Sequence, residues 1–151
     1  MILFSPAKIN LGLQILQKRS DGFHNLQSVM YPVGLCDILE INPLQERRSE
    51  ILFSQSGLRF EDDQEDNLCI KAWKILAKEC ELPPVEMHLH KQIPVGAGLG
   101  GGSSNASATL MGLNSIAREP LNSKMLSELA AKLGSDCPFF IKNKPNSFPC
   151  I

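Results

Sequence analysis

The sequence has no apolar run long enough to cross a bilayer and no block of basic residues. Fifteen Lys and Arg stand against sixteen Asp and Glu, a net charge of −1. A protein that grips a nucleic-acid backbone carries a basic face, so neither nucleic acid nor membrane is an expected partner. The opening segment MILFSPAKIN lacks the charged start and apolar stretch of a secretory signal, and a cytoplasmic location is the expectation. The five cysteines (Cys36, Cys69, Cys80, Cys137 and Cys150) form no C-x-x-C pair. Their number is odd and their spacing offers no clustered zinc ligands, so reduced, mostly buried thiols are expected. What remains is ordinary for a soluble globular chain, with 43% hydrophobic and 21% charged residues. A domain of 151 residues buries roughly 68–70% of its unfolded surface, enough for a core without disulfides or metal.

From Ala7 to Ile15 apolar and polar residues alternate, with Ala7, Ile9, Leu11, Leu13 and Ile15 opposite Lys8, Asn10, Gly12 and Gln14. A period of two predicts a half-buried strand. Ser20-Asp21-Gly22 reads as a turn, followed by candidate strands at Leu26–Pro32, Cys36–Ile41 and Glu50–Ser54. Asp66 or Asn67 can cap a helix to about Cys80, which Pro83-Pro84 stops. Val85–Ile93 alternates again. Ser103 or Ser104 is expected to cap a second helix to Ile116, and Asn122 or Ser123 a third to Leu133, with Gly134 at its end. Pro138–Ile141 reads as a short last strand. The order predicts an α+β domain rather than a regular βαβ series.

The strongest signal is PVGAGLGGGSSNASATLMGL, residues Pro94–Leu113, where five glycines fall within the seven positions Gly96–Gly102. Glycine costs backbone entropy, and such density between an apolar strand and a helix needs a reason. Bare backbone can curl around an anion and aim several N–H groups at it, and the helix start beyond adds unsatisfied N–H groups and a positive dipole end. A Walker A loop is excluded because the segment contains no lysine. The dinucleotide pattern G-x-G-x-x-G is matched by Gly96, Gly98 and Gly101, but its ribose-binding acid should end the next strand. Glu119 instead lies in a helix-to-helix turn before Pro120.

A cation for the phosphates must therefore come from elsewhere. Lys8, on the polar side with Asn10, is either a solvated residue or a buried-site charge. Asp136, in the connection Gly134-Ser135-Asp136-Cys137-Pro138, is either a turn-former or a carboxylate able to take a proton from an alcohol. Asn67 and Lys91 are nucleotide contacts, or else a plain cap and a surface lysine. His88 and His90 share a strand side without a third metal ligand, which favours a solvated face. Phe23-His24 is a stacking and hydrogen-bonding pair or simply a strand start.

The segment P-x-G-x-G-L-G-G-G-S-S-N-A resembles the phosphate loop of the GHMP small-molecule kinases, which act on galactose, homoserine, mevalonate and phosphomevalonate. Ser5–Leu11, Asp21–His24, Glu65–Leu68 and Gly134–Phe140, in that order, are similar to members of the family that serve non-mevalonate isoprenoid synthesis. The resemblance implies the ribosomal protein S5 domain 2-like fold, a mixed sheet packed with helices. It implies in-line transfer of the ATP γ-phosphoryl group, with Mg2+ entering as part of the ATP complex, to the 2-hydroxyl of a cytidine-diphosphate-linked methylerythritol. In that reading Asp136 is the base and contacts substrate, while Lys8 holds it ionised and neutralises the moving phosphoryl group. Asn10 bonds the polyol, Phe23 stacks on the cytosine and His24 reads its polar edge. Pro94-Val95-Gly96-Ala97-Gly98-Leu99-Gly100-Gly101-Gly102-Ser103-Ser104 cradles the ATP phosphates, with Asn67 and Lys91 nearer the adenosine. Residues 1–141 correspond to the family's N-terminal ATP-binding half. By the same resemblance the family's second domain is expected to be missing and residues 142–151 to be an atypical tail. Apolar surface left by that domain is expected to favour self-association. The alternatives are a GHMP kinase for another small alcohol and a non-catalytic fragment that still binds nucleotide.

Overall fold

Two long strands open the chain. The computed structural model describes residues 1–18, 24–45, 50–58, 66–118, 120–142 and 146–150, with main chain alone at 18, 24–26 and 146–150. Strand β1 (Ile2–Lys18) pairs antiparallel with β2 (His24–Pro43), from Ile2 opposite Glu40 to Lys18 opposite His24. The two separate strands expected at Leu26–Pro32 and Cys36–Ile41 are one. The register jumps from Pro6–Cys36 to Ala7–Val33, so residues 34 and 35 are absorbed as an irregularity without ending the strand.

Strand β3 (Ile51–Gly57) pairs in parallel with β4 (Val85–Lys91), and β4 pairs antiparallel with β2. The order β1-β2-β4-β3 is a mixed sheet, and a short β5 (Asn146–Cys150) adds antiparallel to residues 26–30 of β2. Helices α1 (Leu68–Leu76), α2 (Gly101–Ile116), α3 (Ser123–Leu133) and α4 (Cys137–Lys142) complete the α+β domain. The core lies between sheet and helices: Leu39 and Ile41 of β2 and Val85, Met87 and Leu89 of β4 are buried with Ala72 and Leu76 of α1 and Ala106, Leu110 and Leu113 of α2.

Helix α2 sits flush on the sheet. A Cβ at Gly112 would lie 2.6 Å from Leu3 Cδ1 and 2.7 Å from Ile41 Cδ1, so glycine sets the separation there. Caps fix the other helices. Asn67 Oδ1 accepts from the Cys69 N–H at 2.9 Å, and Asn122 Oδ1 accepts from the Lys124 and Met125 N–H groups.

Three expectations need correction. Helix α2 starts at Gly101, with left-handed Gly100 (φ 70°) as its cap in place of Ser103 or Ser104. The Ser104 N–H instead donates to the Gly100 carbonyl, and its hydroxyl is buried in the first turn. Pro138–Ile141 lies in helix α4, not a strand. A four-residue apolar run fits either form, and Pro138 near a helix start forfeits no backbone bond. The Cys137 and Phe139 N–H groups donate to the Gly134 and Asp136 carbonyls to begin that turn. Finally, the apolar side of β1 is not half-buried beyond Ala7. Ile9, Leu11, Leu13 and Ile15 are 38%, 48%, 56% and 66% exposed. Ile9 pairs with Tyr31 and Leu11 with Val29, so one exposed apolar face runs across both strands. Alternation says which side a residue faces, not what covers that side.

The four described cysteines, Cys36, Cys69, Cys80 and Cys137, are free thiols, two of them buried as expected. At the start of α1, burial pushes the Cys69 thiol from 9.0 up to about 11. Its folded value is raised, so its contribution to stability is present below pH 9 and lost as pH rises towards 11. Urea unfolding should therefore show an alkaline loss of about 2–3 kcal/mol across that window that is missing from Cys69→Ala; equal slopes in both proteins would contradict it.

Candidate active site

The glycine segment forms a curl of backbone between β4 and α2. Gly96, Gly98 and Gly100, at every second position, have φ of 75°, 72° and 70°. A Cβ on Gly96 or Gly98 would meet nothing within 4 Å, so these two serve backbone conformation rather than space. Val95 and Gly96 form a turn that opens the curl, and residues 96–102 lead from it into α2. They border a cleft of about 270 Å³ whose opposite wall is Asp66, Asn67 and Leu68 at the start of α1. Asn105 and Ser104, in the first turn of α2, are almost fully buried, and Asn105 Oδ1 and Ser104 Oγ have no partner. The curl and the N-terminus of α2 line the cleft together, an arrangement suited to an anion.

Lys8 reaches this curl from β1. Its N–H donates to the Leu99 carbonyl at 2.9 Å, stitching the strand to the loop. Its side chain is buried to 4% exposure, with a Cβ on Gly100 falling 3.1 Å from Lys8 Cγ and from Phe140 Cζ. Met30 and the edge-to-face pair Phe139–Phe140 form a small buried cluster on that side. The ammonium meets Asp136 Oδ2 at 3.4 Å. The Asp136 side chain is 27% exposed and remains reachable by a ligand. Its position is set from α2, where buried Ser107 Oγ donates to the Cys137 carbonyl at 2.8 Å. Burial, and then the Asp136 charge beside it, raises the Cys137 thiol, so the group next to this carboxylate is neutral.

Lys91 lines the cleft, but its ammonium is bonded to buried Asp37. Asn67 is both cap and cleft wall, and its Nδ2 donates to Gln55 Oε1 at 3.3 Å. Next to it, the hydrogen bond and charge of Lys71 hold the Asp66 carboxyl below its ordinary value. Asn10 is exposed, two residues along β1 from Lys8 and opposite Met30. Phe23 lies outside the described residues, and His24 begins β2 with only its main chain described. His88 and His90 take up Ser54 and Ser56 hydroxyls on the outer side of β3 and β4, and no cluster of three His, Cys, Asp or Glu suited to a metal occurs among the described residues. Asp37 and Ser107 were missed in the sequence reading. Asp37 was findable, since Asp37, Leu39 and Ile41 alternate onto the buried side of a strand. Nothing in the sequence marks Ser107.

The sequence of this region matches the family described as GHMP kinases N terminal domain over residues 67–144, a little over half of the chain. The chain belongs to the GHMP kinase family. Its closely similar relatives include the 4-diphosphocytidyl-2-C-methyl-D-erythritol kinases of Bacteroides fragilis (51% identical) and Bacteroides thetaiotaomicron (50%), each aligned over 96% of this chain and 53% of the relative. The chain thus spans about half the length of the curated relatives it matches. A crystal structure of 4-(cytidine 5'-diphospho)-2C-methyl-D-erythritol kinase superposes with a TM-score of 0.83 at 32% identity, covering 99% of this chain and 53% of that one. The mevalonate kinase of Methanococcus jannaschii, at 18% identity and a TM-score of 0.63 over 97% of this chain and 48% of its own, shares the fold. The GHMP kinase N-terminal domain, with its mixed sheet and helices, is the fold anticipated from the sequence.

Proposed function

We propose that this chain is the ATP-binding half of a kinase that phosphorylates the 2-hydroxyl of 4-diphosphocytidyl-2-C-methyl-D-erythritol, in the cytoplasm, for non-mevalonate isoprenoid synthesis. The observation that carries this reading is the meeting of three distant segments: the Lys8–Asp136 pair at 3.4 Å lies against Gly100 of the glycine curl. Residues 1–141 are read as that half. The N–H groups of Gly96–Gly102 and the α2 start hold the ATP phosphates, and Asn67 and the Lys91 stretch of β4 border the adenosine. Magnesium enters with ATP and supplies positive charge on the phosphates; Ser104 Oγ and Asn105 Oδ1 are oxygen donors of the kind it accepts.

Asp136 takes the proton of the 2-hydroxyl as that oxygen attacks the γ-phosphorus. The bond from the γ-phosphorus to the bridging oxygen breaks, and ADP leaves with the electron pair. Lys8 orients Asp136 and stabilises charge on the phosphoryl oxygens, where positioning and electrostatics supply most of the rate. Asn10 bonds the polyol, while Phe23 and His24 stack on and read the cytosine. The roughly half-length coverage of the relatives favours one alternative, a chain that binds nucleotide but needs a second domain for turnover.

The test is a phosphoryl-transfer assay with MgATP and the cytidine substrate, on this chain alone and joined to a relative's second half. Asp136→Asn should lower turnover about 100- to 10,000-fold with ATP affinity nearly unchanged; persistent turnover contradicts the base role. Phe23→Ala should raise KM for the cytidine substrate far more than for ATP, and equal effects would point to another alcohol. The exposed Ile9–Tyr31 and Leu11–Val29 face is read as a self-association surface. Sedimentation should then show a dimer that Leu11→Lys converts to monomer, and a monomeric parent chain rejects that part.

A further inference from the structure

Asp37 has no exposure to solvent and makes three contacts at the junction of β4 with the glycine curl. Oδ1 accepts from the Gln92 N–H at 2.6 Å and from the Ile93 N–H at 2.8 Å, while Oδ2 meets the Lys91 ammonium. Gln92 and Ile93 carry the last two N–H groups before Pro94, which has none. Across the strand, the Leu58 N–H donates to the Lys91 carbonyl at 2.9 Å, fixing the other edge of the same residue. The ammonium lies under the start of α2, where a Cβ on Gly101 would be 3.2 Å from Lys91 Nζ. A cation at a helix N-terminus meets positive potential, so it needs a counter-charge there.

We propose that Asp37 is a positioning residue for the phosphate cradle, with two separable roles. Oδ1 anchors the backbone from which the glycine curl departs. Oδ2 commits the charge of Lys91 to an internal pair, leaving the backbone N–H groups and the α2 terminus as the phosphate ligands. Lys91 is then a strut of the cleft wall rather than a phosphate-binding cation. This rests on the nucleotide-binding reading above.

Breaking a buried pair on one side leaves a stranded charge, so the test removes both charges together. The double variant D37N/K91M keeps a carbonyl acceptor for the two N–H groups, and D37A/K91M removes it. In calorimetry with a non-hydrolysable ATP analogue and Mg2+, D37N/K91M is the reference for D37A/K91M. D37A/K91M should bind about tenfold or more weakly, from loss of two hydrogen bonds that place the loop. Amide hydrogen exchange at residues 95–102 should be faster in D37A/K91M and unchanged in D37N/K91M. Equal weakening in both variants would mean that Lys91 charge serves the phosphates, and parent-like binding and exchange in D37A/K91M would remove the anchor. If the parent itself binds no nucleotide, the functional reading fails, while the exchange comparison still decides whether Asp37 places the loop. Should D37N/K91M fail to fold when D37A/K91M folds, the proposal is likewise overturned.

Discussion

The hydrogen bond from the Lys8 N–H to the Leu99 carbonyl joins the first strand to the glycine curl at one point. The glycine curl contains no lysine, so any side-chain cation near a bound phosphate must be brought by another element. A main-chain bond does this better than a flexible side chain could, because it fixes the Cα from which the ammonium extends. The lysine stem is buried beside Phe140 and Gly100, and Asp136 gives the ammonium one direction in which to point. Low-dielectric surroundings strengthen that attraction relative to open water.

Two lysine–aspartate pairs flank the curl, and their surroundings divide their labour. Lys91 and Asp37 are both buried, and the carboxylate is saturated by two further N–H donors. Such a pair holds structure in place and has little left to offer a ligand. Asp136 is partly open, and its ion pair is longer. A partly open carboxylate beside a buried cation can still meet a ligand. Chemically similar pairs thus take different roles through exposure and the number of remaining donors.

Much of this was legible before any coordinates. The density of Gly96–Gly102 marked a curl of backbone, and the motifs around Lys8 and Asp136 marked the two residues found beside it, although spacing alone could not say that residues 8 and 136 meet. The Asn67 and Asn122 caps followed from side chains that bond their own backbone locally. The failures share a cause: they depend on what the rest of the fold supplies. Pro138–Ile141 is apolar in any conformation, and only its packing against α2 and α3 decides for helix. Ser103 and Ser104 are good caps by type, but a left-handed Gly100 placed the cap earlier. Ile9–Ile15 has the pattern of a strand that buries one side, yet the described helices do not extend over it.

The missing side chain at Gly112 carries a mechanical consequence. With α2 pressed against Leu3 and Ile41, that helix cannot sink further, and the curl at its head inherits this height above the sheet. One jaw of the cleft is therefore a fixed anvil. The other jaw is held differently: Asn67 bonds Gln55 of β3, and Leu68 packs against the core.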